Sequence, residues 1–303
     1  MPELPEVETI VRDLNKKIKG DVIVSFKSFW PKALKNMSPK ELEKAIVGKK
    51  ILKVRRIGKN IFIDLSGGKT LYLHLKMTGH LLVKFLKSKL QISNNGKERK
   101  IKSKKDYFQD RVNQYIRHVF SLQNEKGDRK NLEFSDLRKF GKIVYLDTKK
   151  IMELPEIKNL GVDALSEKFT FRKWQEILKE KRKMEIGRIL MEQNLIAGIG
   201  NIYRSEILFT AQVSPWRLAE KIRDSEQKAI FLAIKKILKL AIQLRGTSDS
   251  DYRDTAGAPG DFQKKLKVYN RENEKCWRKR CRGRIKRKKM AQRSVFWCQE
   301  CQK

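Results

Sequence analysis

Acidic residues are scarce in this chain of 303 residues. Its 35 Asp and Glu stand against 71 Lys and Arg, so the formal net charge is +36. A protein with such a field attracts polyanions and repels basic partners. Nucleic acid is therefore the expected partner. The alternatives are a protein that docks on acidic lipid and one whose charge serves only solubility.

Long apolar runs are missing as well. No stretch approaches the ~20 residues needed to span a bilayer, and the N-terminus lacks the basic, apolar and small-residue regions of a signal peptide. These absences predict a soluble cytoplasmic protein with no membrane partner. No feature of the sequence indicates an obligate oligomer, so a monomer is expected.

Cysteine is absent from the first 275 residues, and all four cysteines fall in the last 28. The spacing is C-x4-C-x16-C-x2-C, formed by Cys276, Cys281, Cys298 and Cys301. Two thiolate pairs separated by a spacer are typical of a structural zinc site that folds a small hairpin. Two disulfides are the alternative, but nothing marks the secretion that would favour them. The segment from Lys275 to Arg293 holds eleven basic residues and no acidic one, so a zinc-held finger is expected to contact phosphates.

Hydrophobic periodicity changes twice along the chain. Apolar residues at helical spacing predict a helix over residues 4–18. Eight short alternating segments between residues 22 and 147 then predict a β-sandwich or a barrel. Beyond about residue 150 the pattern is helical again, with a long helix predicted over residues 225–244. The fold class is therefore a multidomain α+β protein.

These changes of period define three expected domains. The first spans residues 1–150 and contains a polar, cationic stretch over residues 87–110, which is interpreted as a surface insertion. The second, helical domain spans residues 151–260. The third spans residues 263–303 and contains the four cysteines.

A pair of glycines lies between two predicted helices, in "NLIAGIGNIYRSEILF". Gly198 and Gly200 are expected to form tight turns with positive φ. A helix that begins near Asn201 would then point its free amide groups outward, which is an arrangement that binds phosphate.

The chain opens with "MPELPEVETI", where a proline is followed by three acidic residues. Because Glu3 and Glu6 are three residues apart, they share one face of the predicted helix, whereas Glu8 is expected to face solvent. Met1 precedes a small residue, so its removal would expose Pro2 as a free secondary amine. Such an amine is a nucleophile when it is neutral.

Several of these stretches together resemble bacterial formamidopyrimidine-DNA glycosylases. The matching motifs are "PELPEVET", "GKNIFIDL", "HLKMTGHLL", "SDLRKFG", "GIGNIYRSEILF", "YRDTAGAPGDFQKKLKVYNR" and "AQRSVFWCQECQK". They follow the order of that family and cover nearly the whole chain except the insertion. The resemblance implies an N-terminal helix with a two-layer β-sandwich, a helix-two-turns-helix domain and a C-terminal zinc-finger β-hairpin. It also implies a repair enzyme that binds double-stranded DNA containing an oxidised base or an abasic site.

The resemblance assigns the catalytic residues. Pro2 is implied to attack the sugar C1′, displace the damaged purine and form a Schiff base, after which β- and δ-elimination break the strand. Glu3 is implied to transfer protons at the opened sugar, and Glu6 to support the same site. Lys59 matches the lysine that transfers a proton or grips the phosphate beside the lesion. Arg293 matches the arginine linked to the final elimination.

The resemblance also assigns DNA contacts, because a base that reacts in a duplex has to be extruded. The residues implied to fill the gap that the extruded nucleotide leaves in the duplex are Met77, Arg138 and Phe140. The residues implied to contact phosphate or the damaged strand, besides Arg293, are His74, His118, Lys183, Asn201 and Tyr252. The stretch over residues 247–262 resembles a flexible loop that closes over the extruded base.

Two positions depart from the family pattern. The first cysteine pair is normally C-x2-C, whereas "CWRKRC" has two extra residues, and Gly187 stands where a lysine is common, which removes one phosphate contact.

Two other functions remain open. A relative similar to endonuclease VIII would remove oxidised pyrimidines, but it typically has glycine where Leu4 stands. A non-catalytic basic zinc-finger protein would need none of the N-terminal residues.

Overall fold

The computed structural model describes residues 1–86, 106–249 and 251–303. The expected surface insertion lies outside these residues except for its last few, in which Asp106 caps a short 3-10 turn over Tyr107–Gln109. Within the described ranges, no helix has the length and apolar character that crossing a membrane requires.

The N-terminal part is one helix followed by eight strands, as the sequence predicts. Helix α1 spans Leu4–Lys17. The strands are β1 (Val22–Ser28), β2 (Ile51–Ile57), β3 (Asn60–Leu65), β4 (Lys69–His74), β5 (His80–Phe85), β6 (Ile116–Gln123), β7 (Arg129–Ser135) and β8 (Lys142–Asp147). They form two antiparallel sheets, in the orders β1-β6-β7-β5 and β2-β3-β4-β8. The two-layer sandwich is therefore confirmed.

A second helix, α2 (Pro39–Ile46), is absent from the sequence prediction. Ser38 caps it by accepting a hydrogen bond from the Glu41 amide, and the Glu41 side chain accepts one from the Ser38 amide. This reciprocal capping box is a recognisable start signal. The helix packs on β1.

The middle of the chain is a helical module. Its helices are α3 (Pro155–Lys158), α4 (Phe171–Glu180), α5 (Ile186–Ile189), α6 (Asn201–Ala211) and α7 (Asp224–Gln243). Two short parallel strands, β9 (Val162–Asp163) and β10 (Ile196–Ala197), connect them. The predicted long helix over residues 225–244 is α7.

Helix α1 belongs to two hydrophobic cores. Val7, Ile10 and Leu14 are buried in the sandwich core, whereas Leu4 is buried in the core of the helical module. The Leu4 amide also donates to the Gly198 carbonyl over 3.1 Å. The start of α1 is thus fixed where the two domains meet.

The C-terminal part is a β-hairpin. Strands β11 (Ile285–Met290) and β12 (Arg293–Cys298) are antiparallel, and Ala291 and Gln292 turn the chain with positive φ. The hairpin packs on α6, where Phe209 shares a small core with Phe296. Arg293 therefore stands at the exposed tip of the hairpin.

Candidate active site and nucleic-acid interface

The N-termini of α1 and α6 meet at a buried carboxylate. Glu3 is 3% exposed, and its Oε1 accepts a hydrogen bond from the Ile202 amide over 3.0 Å. The positive end of the α6 dipole stabilises the charge of this carboxylate. The helix end that the sequence suggests for phosphate is therefore occupied by an acidic side chain.

The two glycines before α6 serve different purposes. Gly198 has φ +110, as predicted, but Gly200 has φ −132, so the expectation of positive φ there is wrong. A Cβ at Gly200 would lie 2.3 Å from the Glu3 Cδ atom. Glycine stands there because the Glu3 carboxylate approaches the backbone too closely for a side chain.

Glu6 lies behind Glu3 and is 1% exposed. Its carboxylate accepts hydrogen bonds from the Glu3 amide over 2.7 Å, from the Thr247 amide over 2.7 Å and from the Tyr203 hydroxyl. Burial, followed by the neighbouring charge of Glu3, raises the pKa of Glu6 to about 7. Glu6 can therefore change its protonation state near neutral pH.

Glu8 does not face solvent, so that prediction is wrong. Its two oxygens accept hydrogen bonds from Arg12 Nε over 2.7 Å and from Arg56 Nε over 2.6 Å. Arg56 also binds Asp163, at the start of the helical module. Glu8 therefore supports the junction between the domains.

Lys59 reaches the same junction from the turn before β3. It is 8% exposed, and its Nζ donates to the Ile199 carbonyl over 3.0 Å. Burial lowers the pKa of Lys59, and the negative charge of Glu3 opposes that change. The structure thus brings Glu3, Glu6 and Lys59 together.

A cavity of about 210 Å³ opens beside these residues. Its walls are formed by Met1, Glu3, Met77, Met191, Gly200, Asn201, Ile202, Thr247, Asp249, Tyr252, Tyr269 and Arg293. Pro2 is buried directly behind the exposed Met1. Residues from all three parts of the chain therefore surround the N-terminus.

Three exposed side chains form a cluster above this cavity. Arg138 Nη1 lies 3.0 Å from the Met77 sulfur, and the Arg138 guanidinium lies 4.8 Å from the centre of the Phe140 ring. Asp136 holds the loop beneath them, because its carboxylate accepts hydrogen bonds from Thr78 and from the Gly141 amide. Apolar and cationic groups on a fixed loop suit insertion between bases.

His118 does not reach the DNA-facing surface. It is 1% exposed between the rings of Phe26 and Phe134, and neither ring nitrogen has a hydrogen-bond partner in the described part of the chain. Burial lowers the pKa of His118 to about 4. A buried neutral ring offers no contact to phosphate here, so the role of His118 in DNA binding stays a prediction.

The other four suggested DNA contacts differ in exposure. Lys183 is exposed after α4, and Asn201 is half-buried in the cavity wall. His74 is half-buried, and burial lowers its pKa to about 4, so it offers no charge at neutral pH. Tyr252 is 6% exposed in the cavity wall, and its hydroxyl has no hydrogen-bond partner among the described residues.

The expected lid is bound to the rest of the protein along much of its length. Arg245 pairs with Asp254 and with Asp13 of α1. The Thr255 carbonyl accepts from the Val83 amide over 2.9 Å, and its hydroxyl donates to Asp13. The loop over residues 247–262 is therefore anchored at residues 254–255, and its closure over an extruded base stays a prediction.

The four cysteine sulfurs converge at the base of the hairpin. All lie within 4.8 Å of one another, and the closer pairs are 3.6 Å (Cys281 and Cys298) and 3.7 Å (Cys276 and Cys301) apart. A tetrahedron of sulfurs around zinc has edges of about 3.8 Å, given a Zn–S distance of ~2.3 Å. The wider C-x4-C spacing is therefore compatible with one metal site.

Several residues of the site are not identifiable from the sequence. Tyr203 and Thr247 hold Glu6 but are 197 and 241 residues away from it. Arg245 holds the loop, and Arg204 lies beneath Asn201. Nothing in their local sequence distinguishes these residues from ordinary helix or loop positions.

Comparisons with known proteins agree along the whole chain. Residues 1–143 match the formamidopyrimidine-DNA glycosylase N-terminal domain, and residues 160–252 match the formamidopyrimidine-DNA glycosylase H2TH domain. Formamidopyrimidine-DNA glycosylases of Carboxydothermus hydrogenoformans and Pelotomaculum thermopropionicum are 40% and 37% identical. They align over 100% of this chain and over 100% and 99% of their own lengths.

Solved structures give the same answer. Lactococcus lactis Fpg in complex with DNA containing an abasic site matches with a TM-score of 0.81 and 28% identity, over 99% of each chain. The same protein with DNA containing Fapy-dG matches with a TM-score of 0.80 and 28% identity, over 99% of this chain and 100% of that chain. The fold and the site define a DNA glycosylase of base excision repair. The chain belongs to the formamidopyrimidine-DNA glycosylase family.

Proposed function

We propose that this chain excises oxidised purines, including formamidopyrimidines and 8-oxoguanine, from duplex DNA and then cleaves the strand. The observation that carries the proposal is the buried group of Glu3, Glu6 and Lys59 around the N-terminus, beside a cavity. Lactococcus lactis Fpg, which shares this fold, has been solved with DNA containing Fapy-dG or an abasic site. Simple DNA binding requires no such buried group.

Pro2 supplies the nucleophile. Removal of Met1, which lines the cavity, leaves the imino nitrogen of Pro2 at the cavity wall. Its lone pair attacks C1′, the bond from C1′ to the base breaks, and the base leaves with a proton. The nitrogen loses its proton, and the bond from C1′ to O4′ then breaks with transfer of a proton to O4′, which opens the sugar and leaves a positively charged iminium. This charge acidifies the C2′ proton. Loss of that proton expels the 3′ phosphate, and a second elimination expels the 5′ phosphate.

Glu3 and Lys59 move the protons. The Glu3 Oε2 atom is buried and has no hydrogen-bond partner in the described part of the chain, so it is available to a reacting group. Glu3 is proposed to transfer a proton at the opened sugar. Burial lowers the pKa of Lys59, which eases release of a proton from its ammonium group.

The exposed residues hold the distorted duplex. Met77, Arg138 and Phe140 are proposed to fill the gap left by the extruded nucleotide. Lys183, Asn201, Tyr252 and Arg293 are proposed to contact phosphate or the damaged strand; Asn201, Tyr252 and Arg293 line the cavity. His74 contributes only as a neutral hydrogen-bonding group.

We assign one Zn²⁺ ion to the four cysteines. Their sulfurs fit the tetrahedral geometry of a structural zinc site, and such a site leaves no ligand position for catalysis. The metal would join the two ends of the hairpin that presents Arg293. Its role is therefore to hold the basic finger in shape.

Borohydride trapping on an 8-oxoguanine duplex tests the proposal. The wild-type protein should form a covalent adduct, because only a Schiff base is reduced to a stable product. Pro2→Gly should bind the duplex but lose most strand cleavage, since it replaces the secondary amine by a primary one. Pro5→Ala is the matched control, because Pro5 is also buried at the start of α1.

Three results would contradict parts of this proposal. Near-normal cleavage by Pro2→Gly would remove Pro2 from the mechanism. Binding of the duplex with no trapped adduct would indicate a non-catalytic zinc-finger protein. Trapping on thymine glycol but not on 8-oxoguanine would indicate an enzyme similar to endonuclease VIII.

A further inference from the structure

Arg204 is a buried cation that forms no ion pair within the described part of the chain. It is 1% exposed, in the first turn of α6. The charge of Glu3 acts favourably on its guanidinium without a direct contact, and its Nε has no hydrogen-bond partner among the described residues. Buried charges are usually paired because desolvation is costly. An unpaired one in a DNA-binding protein needs an explanation.

The guanidinium of Arg204 connects three elements of the cleft. Nη2 donates to the Asn201 side-chain oxygen and, over 3.4 Å, to the Ser294 carbonyl. Nη1 donates to the Gly187 carbonyl over 3.4 Å. Ser294 follows Arg293 in β12, so Arg204 binds the start of the strand that presents Arg293.

These contacts determine which way the Asn201 amide points. Its oxygen accepts from Arg204, so its nitrogen is the donor that remains. The same amide hydrogen bonds with Tyr269, which lies in the cavity wall. The amide nitrogen of Asn201 therefore faces the cavity, where a phosphate or sugar oxygen would accept a hydrogen bond.

Gly187 gives Arg204 the space that it occupies. A Cβ at position 187 would lie 2.9 Å from the Pro215 carbonyl oxygen and 3.0 Å from the Met290 sulfur. The Arg204 guanidinium lies between the Gly187 carbonyl and the same Met290 sulfur. A long side chain at position 187 would displace the Pro215 carbonyl, the Met290 sulfur and the Arg204 guanidinium. The positive charge beside position 187 is therefore supplied by Arg204 of α6.

We propose that Arg204 is a positioning residue for DNA binding, which orients the Asn201 amide and the Arg293 strand toward the DNA backbone. This inference rests on the proposed function. The positive charge of Arg204 also adds to the field at that part of the cleft, where Arg293 already stands. A negatively charged backbone would add a direct counter-charge to the more distant one of Glu3.

The test compares Arg204→Met with a control arginine of the helical module that does not line the cavity. Arg217 also donates to backbone carbonyls, those of Lys221 and Lys303, and it pairs with Glu226. Arg217→Met should therefore also lower thermal stability. Of these two arginines, only Arg204 contacts Asn201.

The affinity for a duplex with an abasic-site analogue is measured by titration. Arg204→Met should weaken binding roughly 10- to 100-fold, the usual effect of losing charged hydrogen bonds, and raise KM more than it lowers kcat. Arg204→Lys should recover less than half of this loss on a logarithmic scale, because lysine lacks the planar fork. Arg217→Met should change affinity by less than about threefold.

A double-mutant cycle with Asn201→Ala separates positioning from general destabilisation. If Arg204 acts through Asn201, then Arg204→Met should have much less effect in the Asn201→Ala background. Additive losses would overturn the inference, as would an equal loss of affinity in Arg217→Met. Failure of the wild-type protein to form a borohydride adduct would instead refute the proposed chemistry, and the binding measurements would still test Arg204.

Discussion

Replacing Glu6 with glutamine should change how the stability of the DNA-free protein depends on pH. The pKa of Glu6 is raised from 4.5 to about 7, first by burial and then by the charge of Glu3. The folded protein therefore holds this proton at pH values where the unfolded chain has released it. Glu6 contributes stability that is fully present below about pH 4.5 and is lost as the pH rises through about 7.

The size of this effect follows from the shift. One pKa unit corresponds to about 1.4 kcal/mol, so a shift of this size changes the free energy of unfolding by about 3 kcal/mol. Glutamine cannot ionise. The stability of the wild type minus that of Glu6→Gln should therefore fall by about 3 kcal/mol between pH 4.5 and pH 8.

Urea denaturation at several pH values measures this difference. Glu8→Gln is the matched control, because Glu8 is on the same helix but pairs with Arg56. Burial would raise the pKa of Glu8, but the charge of Arg56 contributes to holding it below its ordinary value. The stability difference between the wild type and Glu8→Gln should therefore show no such fall above pH 5. A Glu6→Gln difference that stays constant with pH would refute the raised pKa.

Two further substitutions test the site and the hairpin. Gly200→Ala places a Cβ 2.4 Å from the Glu3 Oε1 atom, so it should displace that carboxylate and reduce strand cleavage. Circular dichroism should show that the fold is retained. Full cleavage by this variant would contradict the close approach of Glu3 to Gly200. Cys298→Ser should release zinc and weaken DNA binding, because it removes one of four converging sulfurs; unchanged zinc content in elemental analysis would contradict the metal site.

Local patterns were sufficient for most of the fold. The alternation of apolar residues predicted all eight strands of the sandwich, because one face of each strand packs into the core. The cysteine spacing predicted a cluster, because the four residues lie within a short hairpin. Helix α2 was missed, although Ser38 and Glu41 form a capping box that the sequence displays.

The burial of His118 was also visible in the sequence. Alternate residues of a strand share a face, and His118, Phe120 and Leu122 alternate in β6. Two of these residues are apolar, so the shared face packs into the core and the histidine is buried with them. The DNA contact that the resemblance implies for His118 does not follow from this pattern and stays a prediction.

Contacts between distant segments could not be predicted. Arg56 reaches Glu8 across 48 residues, and Tyr203 reaches Glu6 across 197. Such pairs depend on how the domains dock, which periodicity does not specify. The same reason explains why Gly200 was interpreted as a tight turn with positive φ, since the carboxylate that requires a glycine there belongs to the other end of the chain.

The division of α1 between two cores makes the two halves of the protein interdependent. A fragment that ended after β8 would keep Pro2, Glu3, Glu6 and Lys59 in its sequence. It would lack every donor from the helical module that holds the two carboxylates, and Leu4 would lose its surroundings. The buried surroundings of Glu3 and Glu6 therefore exist only where the two domains meet, and neither domain forms them alone.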